Sequence, residues 1–393
     1  MARLWELLFV ATRLGLTSFG GPIAHLGYFR AEYVHRRKWL DEAAYADVVA
    51  LCQFLPGPAS SQVGIAIGMM RAGLPGGFVA WLGFTLPSAV ALALFAYGVA
   101  SVGDIADVGW LRGLKIAAVA VVALAVWGMA RSLTPGRPRV TIAIGAAIAL
   151  LFGRGAVDQI GVIVVGGLLG WFFLRVAPVA SPPTREIPVP RAVAVGALAI
   201  FAGLLAALPW LRAATGSQAV AVFDSFYRAG ALVFGGGHAV LPLLQAEVVP
   251  PGWLTNEQFI AGYGAAQAVP GPLFTVSAYL GTAMHLSSTP LWWLGGLLAL
   301  GAIFLPSFLL VAGALPFWNS LRAMHGARRT MAGINAAVVG LLLAALYDPV
   351  WTSAIEGPSD VALALAAFLG LAFWKLPPWL VVVLAAVGGA VLG

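Results

Sequence analysis

The chain has 393 residues, 61% of them hydrophobic and 9% charged, with a mean hydropathy of +0.94. A soluble domain carries about 25% charged residues, so the composition excludes a water-soluble globule and predicts an all-α polytopic membrane protein. The single cysteine, Cys52, excludes an internal disulfide and a cysteine-built metal cluster, and the net charge of +7 reads as basic loops on one side of a membrane, not as a nucleic-acid surface.

The opening MARLWELLFVATRLGL resembles a signal peptide in hydropathy alone. Glu6 and Arg13 interrupt its apolar run and no small-residue cleavage site follows, so it reads as structure. Residues 4–36 predict two short helices broken at Ser18, Phe19, Gly20, Gly21 and Pro22. Residues 42–72 predict two more, broken at Pro56-Gly57-Pro58. Arms of about 14 apolar residues are too short to cross a bilayer, which predicts re-entrant hairpins; a pair of tilted short spans is the alternative for 42–72. Spans follow near 77–101, 112–131, 140–153 and 157–175. The stretch VAPVASPPTREIPVPR (176–191) is a proline-rich, extended linker, and one more apolar segment occupies 192–212.

The plan then repeats. RLGLTSFGGPIAHLGYFRAE (13–32) returns as RAGALVFGGGHAVLPLLQAE (228–247), and WLDEAAYADVVALCQFLPGP (39–58) as WLTNEQFIAGYGAAQAVPGP (253–272). TLPS (85–88) pairs with FLPS (304–307), and GLKIAAVAVV (113–122) with GINAAVVG (333–340). The chain thus divides into a first repeat at 1–175, a linker with a connecting span at 176–212, and a second repeat at 213–393. Equivalent loops differ in charge: Arg30, Arg36, Arg37 and Lys38 have no counterpart in 243–257, and the three arginines of 131–139 face an acidic 348–360, while the acidic 101–109 faces a basic 319–329. By the positive-inside rule the repeats have inverted topology. The expectation is nine spans and four broken or re-entrant hairpins, with the N-terminus cytoplasmic and the C-terminus external.

Non-helical backbone survives in a bilayer only where it is buried in protein or lines a wet cavity. Helix N-termini carry partial positive charge and free N–H donors, so several meeting near the midplane form an anion site. The candidates are Ser18, Phe19, Gly20, Gly21, Pro22, Pro56, Gly57 and Pro58 in the first repeat, with Phe234, Gly235, Gly236, Gly237, His238, Pro270, Gly271 and Pro272 in the second. The glycines have a second reading, close helix packing. Arg13 and Arg228 occupy equivalent positions before the first breaks and match a tetrahedral dianion in geometry; Arg228 also has Asp224 four residues back as a local partner. Lys115, aligned with Asn335, is a third cation. Ser60, Ser61, Thr275 and Ser277 read equally as helix caps and as anion ligands. His25 and His238 read as structural or proton-carrying, and Glu32 and Glu247 as solvated interfacial acids or proton carriers.

P-loop, HExxH, paired CxxC, EF-hand and GxSxG motifs are absent, so neither cofactor nor metal is predicted and the chain reads as a secondary transporter, not an enzyme. SFGGPIAHLGYFR, HRRKWLDE, QFLPGPASSQ, VFGGGHAVLPLL and QAVPGP together resemble the chromate transporter family in its long, two-domain form. That resemblance implies an inner-membrane protein that exports chromate and confers chromate resistance, driven by the membrane potential or the proton gradient. The second FGG departs from the first in continuing as Gly237-His238 where the first has Pro22-Ile23. From the residues alone the partner is an oxyanion, so sulfate, equal to chromate in shape and charge, stands beside it, with the surrounding lipid and without nucleic acid; a homo-oligomer is compatible with the sequence. The alternatives are an intramembrane lipid-pyrophosphate phosphatase and a passive anion channel.

Overall fold

A computed structural model describes residues 2–102, 109–153, 155–176, 189–234, 237–284, 293–318, 320 and 324–392. These residues form helices and connecting turns. Helix α1 (Ala2–Thr17) stops where Gly20 and Gly21 take φ of 96° and 75°, values open to glycine, and Pro22 starts α2 (Gly21–Phe29). Asp41 caps α3 (Glu42–Phe54) by accepting the Ala44 N–H at 2.8 Å. After Pro56-Gly57-Pro58 comes α4 (Ala59–Val102), bent at Ala72 and Gly73, so it contains both the second hairpin arm and the following long span. The other first-half helices are α5 (Gly109–Leu133), α6 (Arg137–Phe152) and α7 (Ala156–Phe173), and α8 (Arg191–Thr215) connects the halves.

The second half comprises α9 (Gln218–Leu232), α10 (Val240–Val248), α11 (Asn256–Ala268), α12 (Val276–Ala283), α13 (Trp293–Ala314), α14 (His325–Ala345), α15 (Pro358–Ala372) and α16 (Pro378–Leu392). Thr255 and Gln258 form a reciprocal cap on α11. The broken arms thus fall where glycine and proline placed them. The acidic loop expected at 101–109 and the linker of 176–191 lie largely outside the described residues, as do Gly235 and Gly236.

The described helices differ in length. Five described helices are long and apolar enough to cross a bilayer: Ala59–Ala100, Gly109–Leu133, Arg191–Thr215, Trp293–Phe317 and His325–Ala354. The expected spans at 140–153 and 157–175 are helices of 16 and 18 residues, and α15 and α16 have 15 each. At 1.5 Å per residue a 16-residue helix rises about 24 Å, short of the ~30 Å hydrocarbon core. Glycine and proline at Gly136, Pro138, Gly153 and Pro377-Pro378 set these limits.

Packing relates the halves in two ways. Inside each half the first helix crosses the long span at a glycine: Gly15 lies against the Phe84 carbonyl and Gly230 against that of Ile303. Between halves the helices are exchanged. Helices α6 and α7 pack on α14, while α15 and α16 pack on α5. Gly333 of α14 meets Gly166 and Gly170, and its equivalent Gly113 of α5 meets Ala385 and lies against Gly389. Small residues four apart let backbones approach this closely, and dispersion between them holds the pair together in lipid. Gly333→Val therefore places a side chain into the Gly166 backbone, and thermal unfolding in detergent should show a loss of ~2–4 kcal/mol.

Candidate functional site

The breaks of the two halves meet. A Cβ on Gly237 would lie 3.1 Å from Pro22, and one on Gly21 would lie 3.7 Å from His238 Nε2, so Gly237-His238 abut Gly21-Pro22. The PGP turns then cross over. The Gly57 N–H donates to the Val233 carbonyl at 2.8 Å, and the Gly271 N–H donates to the Ser18 carbonyl at 3.0 Å. Val233 and Ser18 are equivalent in the repeat, as are Gly57 and Gly271, so one bond is made twice with the halves exchanged. Gly57 and Gly271 have φ of 124° and 106°, which a side chain rarely adopts. Ser307 Oγ lies 3.0 Å from where a Gly57 Cβ would be, and Ser88 Oγ lies 2.8 Å from a Gly271 Cβ. The repeated LPS motif therefore backs the PGP turn of the opposite half.

Anions are held by donors, and each hydroxyl has one proton to give. Thr275 Oγ1 spends its own on the Pro272 carbonyl at 2.6 Å, Ser277 on Phe274 at 2.8 Å, and Ser88 on Thr85 at 3.0 Å. Thr275 and Ser277 thus act on their own turns. Gln62 Nε2 likewise closes the first PGP turn on the Pro56 carbonyl at 2.6 Å. In contrast, Ser18, Ser61, Thr85 and Ser307 are buried to within about 2% and their hydroxyls have no partner, and Gln267 Nε2 is unpartnered too. A buried donor left unmade costs about 1–3 kcal/mol, and two of these residues stand at the crossing, Ser307 beside Gly57 and Ser18 bonded through its carbonyl to Gly271. Ser60 instead pairs with His25 Nδ1 at 3.3 Å, and His238 Nδ1 with the Tyr263 hydroxyl at 2.8 Å. Phe19 packs on Trp379, and Phe234 packs against the main core. Pro58 accepts the Gln62 N–H at the start of α4. Pro270 shares the second turn with Gly271.

Of the two readings open for Arg228, the local ion pair is present in the structure. Arg228 donates to both Asp224 oxygens at 2.9 and 3.0 Å and to Glu247 at 3.0 Å, so the local partner is engaged. Arg212 lies 3.4 Å from Asp224, and Ser225 donates to Glu247 at 2.7 Å. Arg13, half exposed, stands 3.9 Å from Glu32, which also binds Arg36 and Arg37 at 3.2 and 2.8 Å. Arg13–Glu32 and Arg228–Glu247 are one ion pair in two copies. The tryptophans keep the same correspondence, with Arg71 over Trp39 at 3.8 Å and Arg212 over Trp253 at 5.7 Å. Glu32 and Glu247 are accordingly buried and paired, not solvated. Lys115 is also buried, on α5 beside Leu114, whose carbonyl lies against Gly264 of α11.

Sequence reasoning passed over Gln62, Thr85 and Ser307. Thr85 and Ser307 were visible in TLPS and FLPS, where the repetition marked an alignment and nothing in it indicated unpaired hydroxyls.

The sequence model described as "Chromate transporter" matches residues 5–171 and 220–390. The chain is 29% identical over 386 residues to the chromate transport protein of Pseudomonas aeruginosa, covering 96% of this chain and 89% of that one. It is 26% identical over 391 residues to the chromate transport protein of Cupriavidus metallidurans, covering 98% and 92%. It is 28% identical over 389 residues to a probable chromate transport protein of Synechococcus elongatus, covering 96% and 93%. No solved structure matches the chain.

Proposed function

We infer function from one premise: the chain belongs to the chromate transporter family, and it is a multi-pass membrane protein. We propose that it is a secondary transporter that exports chromate across the inner membrane, with sulfate as a competing substrate of equal shape and charge. The single observation that carries this reading is the reciprocal bond of each PGP turn to the residue before the opposite FGG, with the unpartnered buried hydroxyl-bearing Ser18 and Ser307 beside it. The oxyanion takes its hydrogen bonds from Ser18, Ser61, Thr85 and Ser307 at that crossing. Breaking one PGP–FGG bond and keeping the other opens one side and not the other, the two-state element that alternating access requires. The opposite loop charges of the repeats support inverted topology, with the N-terminus inside and the C-terminus outside. Inward-negative membrane potential drives a dianion outward, at about 2.3 kcal/mol per charge per 100 mV.

The test is chromate flux in proteoliposomes with sulfate as competitor, under imposed potential and pH gradients. Potential-dependent chromate flux inhibited by sulfate is the expected result. Flux that ignores an opposing gradient beyond its electrical effect indicates a channel, and no flux of either anion removes the transport reading.

A further inference from the structure

Besides His25, five acidic or basic side chains are buried among the described residues: Glu32, Lys115, Asp224, Glu247 and Asp360. Four of them have cationic partners. Glu32 is held by Arg13, Arg36 and Arg37, Asp224 and Glu247 by Arg212 and Arg228, and Asp360 by Arg112 at 2.8 Å. Lys115 has no ion pair and no hydrogen bond among the described residues, at 4% exposure in a helix whose residues from Gly113 to Val122 are all buried.

An isolated ammonium in such surroundings is costly, and proteins resolve the cost by pairing it or by losing the proton. Every other buried charge here is paired within the protein, so Lys115 is the exception in a scheme otherwise closed. Its place in the fold gives the missing partner a chemistry. Leu114, the preceding residue, lies with its carbonyl against Gly264 of α11, an approach only a residue without Cβ allows. The residue before Gly264 is Tyr263, bonded to His238, which abuts Gly21 at the first FGG break. The turn of α5 carrying Lys115 is thus tied to the crossing of the breaks. At the equivalent position on α14 stands Asn335, whose Oδ1 is also buried and unpartnered. The two halves therefore present one cation and one neutral amide.

Building on the transport reading above, we propose that Lys115 is the counter-charge of the transported oxyanion and the charge that the empty carrier moves through the membrane field. A dianion on one ammonium leaves a single net negative charge in the loaded carrier, and the empty carrier returns with a single positive one. Both half-cycles then respond to the membrane potential in the direction of anion export. Without the lysine the empty carrier is electrically silent and the loaded one carries the full dianion.

The experiment compares wild type, Lys115→Asn and Lys115→Arg, Asn being the residue that the equivalent position already carries. Chromate binding is measured by equilibrium titration of the purified protein, and charge displacement by voltage steps on the protein in planar bilayers without anion. The expected result is chromate binding weakened by ~100-fold in Lys115→Asn, the loss that follows removal of one member of a buried pair, and retained in Lys115→Arg. Anion-free charge movement should be present in wild type, kept in Lys115→Arg and lost in Lys115→Asn. Unchanged binding in Lys115→Asn, or equal loss in both variants, overturns the assignment. If Lys115→Asn does not fold, wild type decides: chromate binding without any anion-free charge movement overturns the moving-charge role. Failure of wild type to bind chromate or sulfate overturns the transport reading itself, and Lys115 with it.

Discussion

Arg228→Ala should destabilise the protein by about 3–5 kcal/mol, because it strips the main partner from Asp224, a carboxylate with no exposure, and from Glu247. Arg13→Ala should cost no more than ~1 kcal/mol. Arg13 is half exposed, its contact is 3.9 Å, and Glu32 keeps Arg36 and Arg37. Equivalent residues of the repeat thus have unequal roles, since the first half surrounds its glutamate with spare arginines and the second does not. Denaturant unfolding of the two purified variants measures the difference. Equal losses would mean that Arg212 compensates at 3.4 Å from Asp224. Asp224→Asn combined with Arg228→Ala should recover much of the stability, because no buried carboxylate is then left unmatched at that position.

Gly57→Ala and Gly271→Ala should each reduce chromate flux by ~100-fold, the scale on which an ångström of misplacement acts at a binding constellation. At φ of 124° and 106° a Cβ is strained wherever it points. At Gly57 it also drives into Gln62, which closes the turn on Pro56, and against Ser307. At Gly271 it meets Ser88. Either change displaces the N–H that bonds the opposite FGG segment. Gly196→Ala and Gly203→Ala are the controls, because nothing lies within 4 Å of a Cβ at either position. Normal flux in the Gly57 and Gly271 variants would mean that the crossing bonds are incidental to transport. Wild-type-like unfolding of these variants with flux lost would place the effect in the site and not in the fold.

The sequence by itself determined the elements. Apolar run length and the Gly-Pro punctuation at 18–22 and 56–58 located the broken helices, because backbone conformation at glycine and proline is a local property. Self-similarity gave the duplication, since two copies that fold alike keep the same residues at the same tight crossings, Gly15 with Gly230 and Gly113 with Gly333. The end of α6 at Phe152 was legible as well, in Gly153 and in the Arg154 and Asp158 that follow it.

Partnership was decided by tertiary structure alone. Arg13 has no acid within a helical turn, and its partner Glu32 arrives only when α1 folds back past the break. The unpaired state of Ser18, Ser61, Thr85 and Ser307 cannot be read locally, because a hydroxyl is free or spent according to which carbonyl comes within reach. The exchange of PGP and FGG segments between halves joins residues more than 170 positions apart, Gly57 with Val233 and Gly271 with Ser18. Propensity and periodicity act over a few turns of helix, whereas pairing across that distance is set by how the packed helices cross.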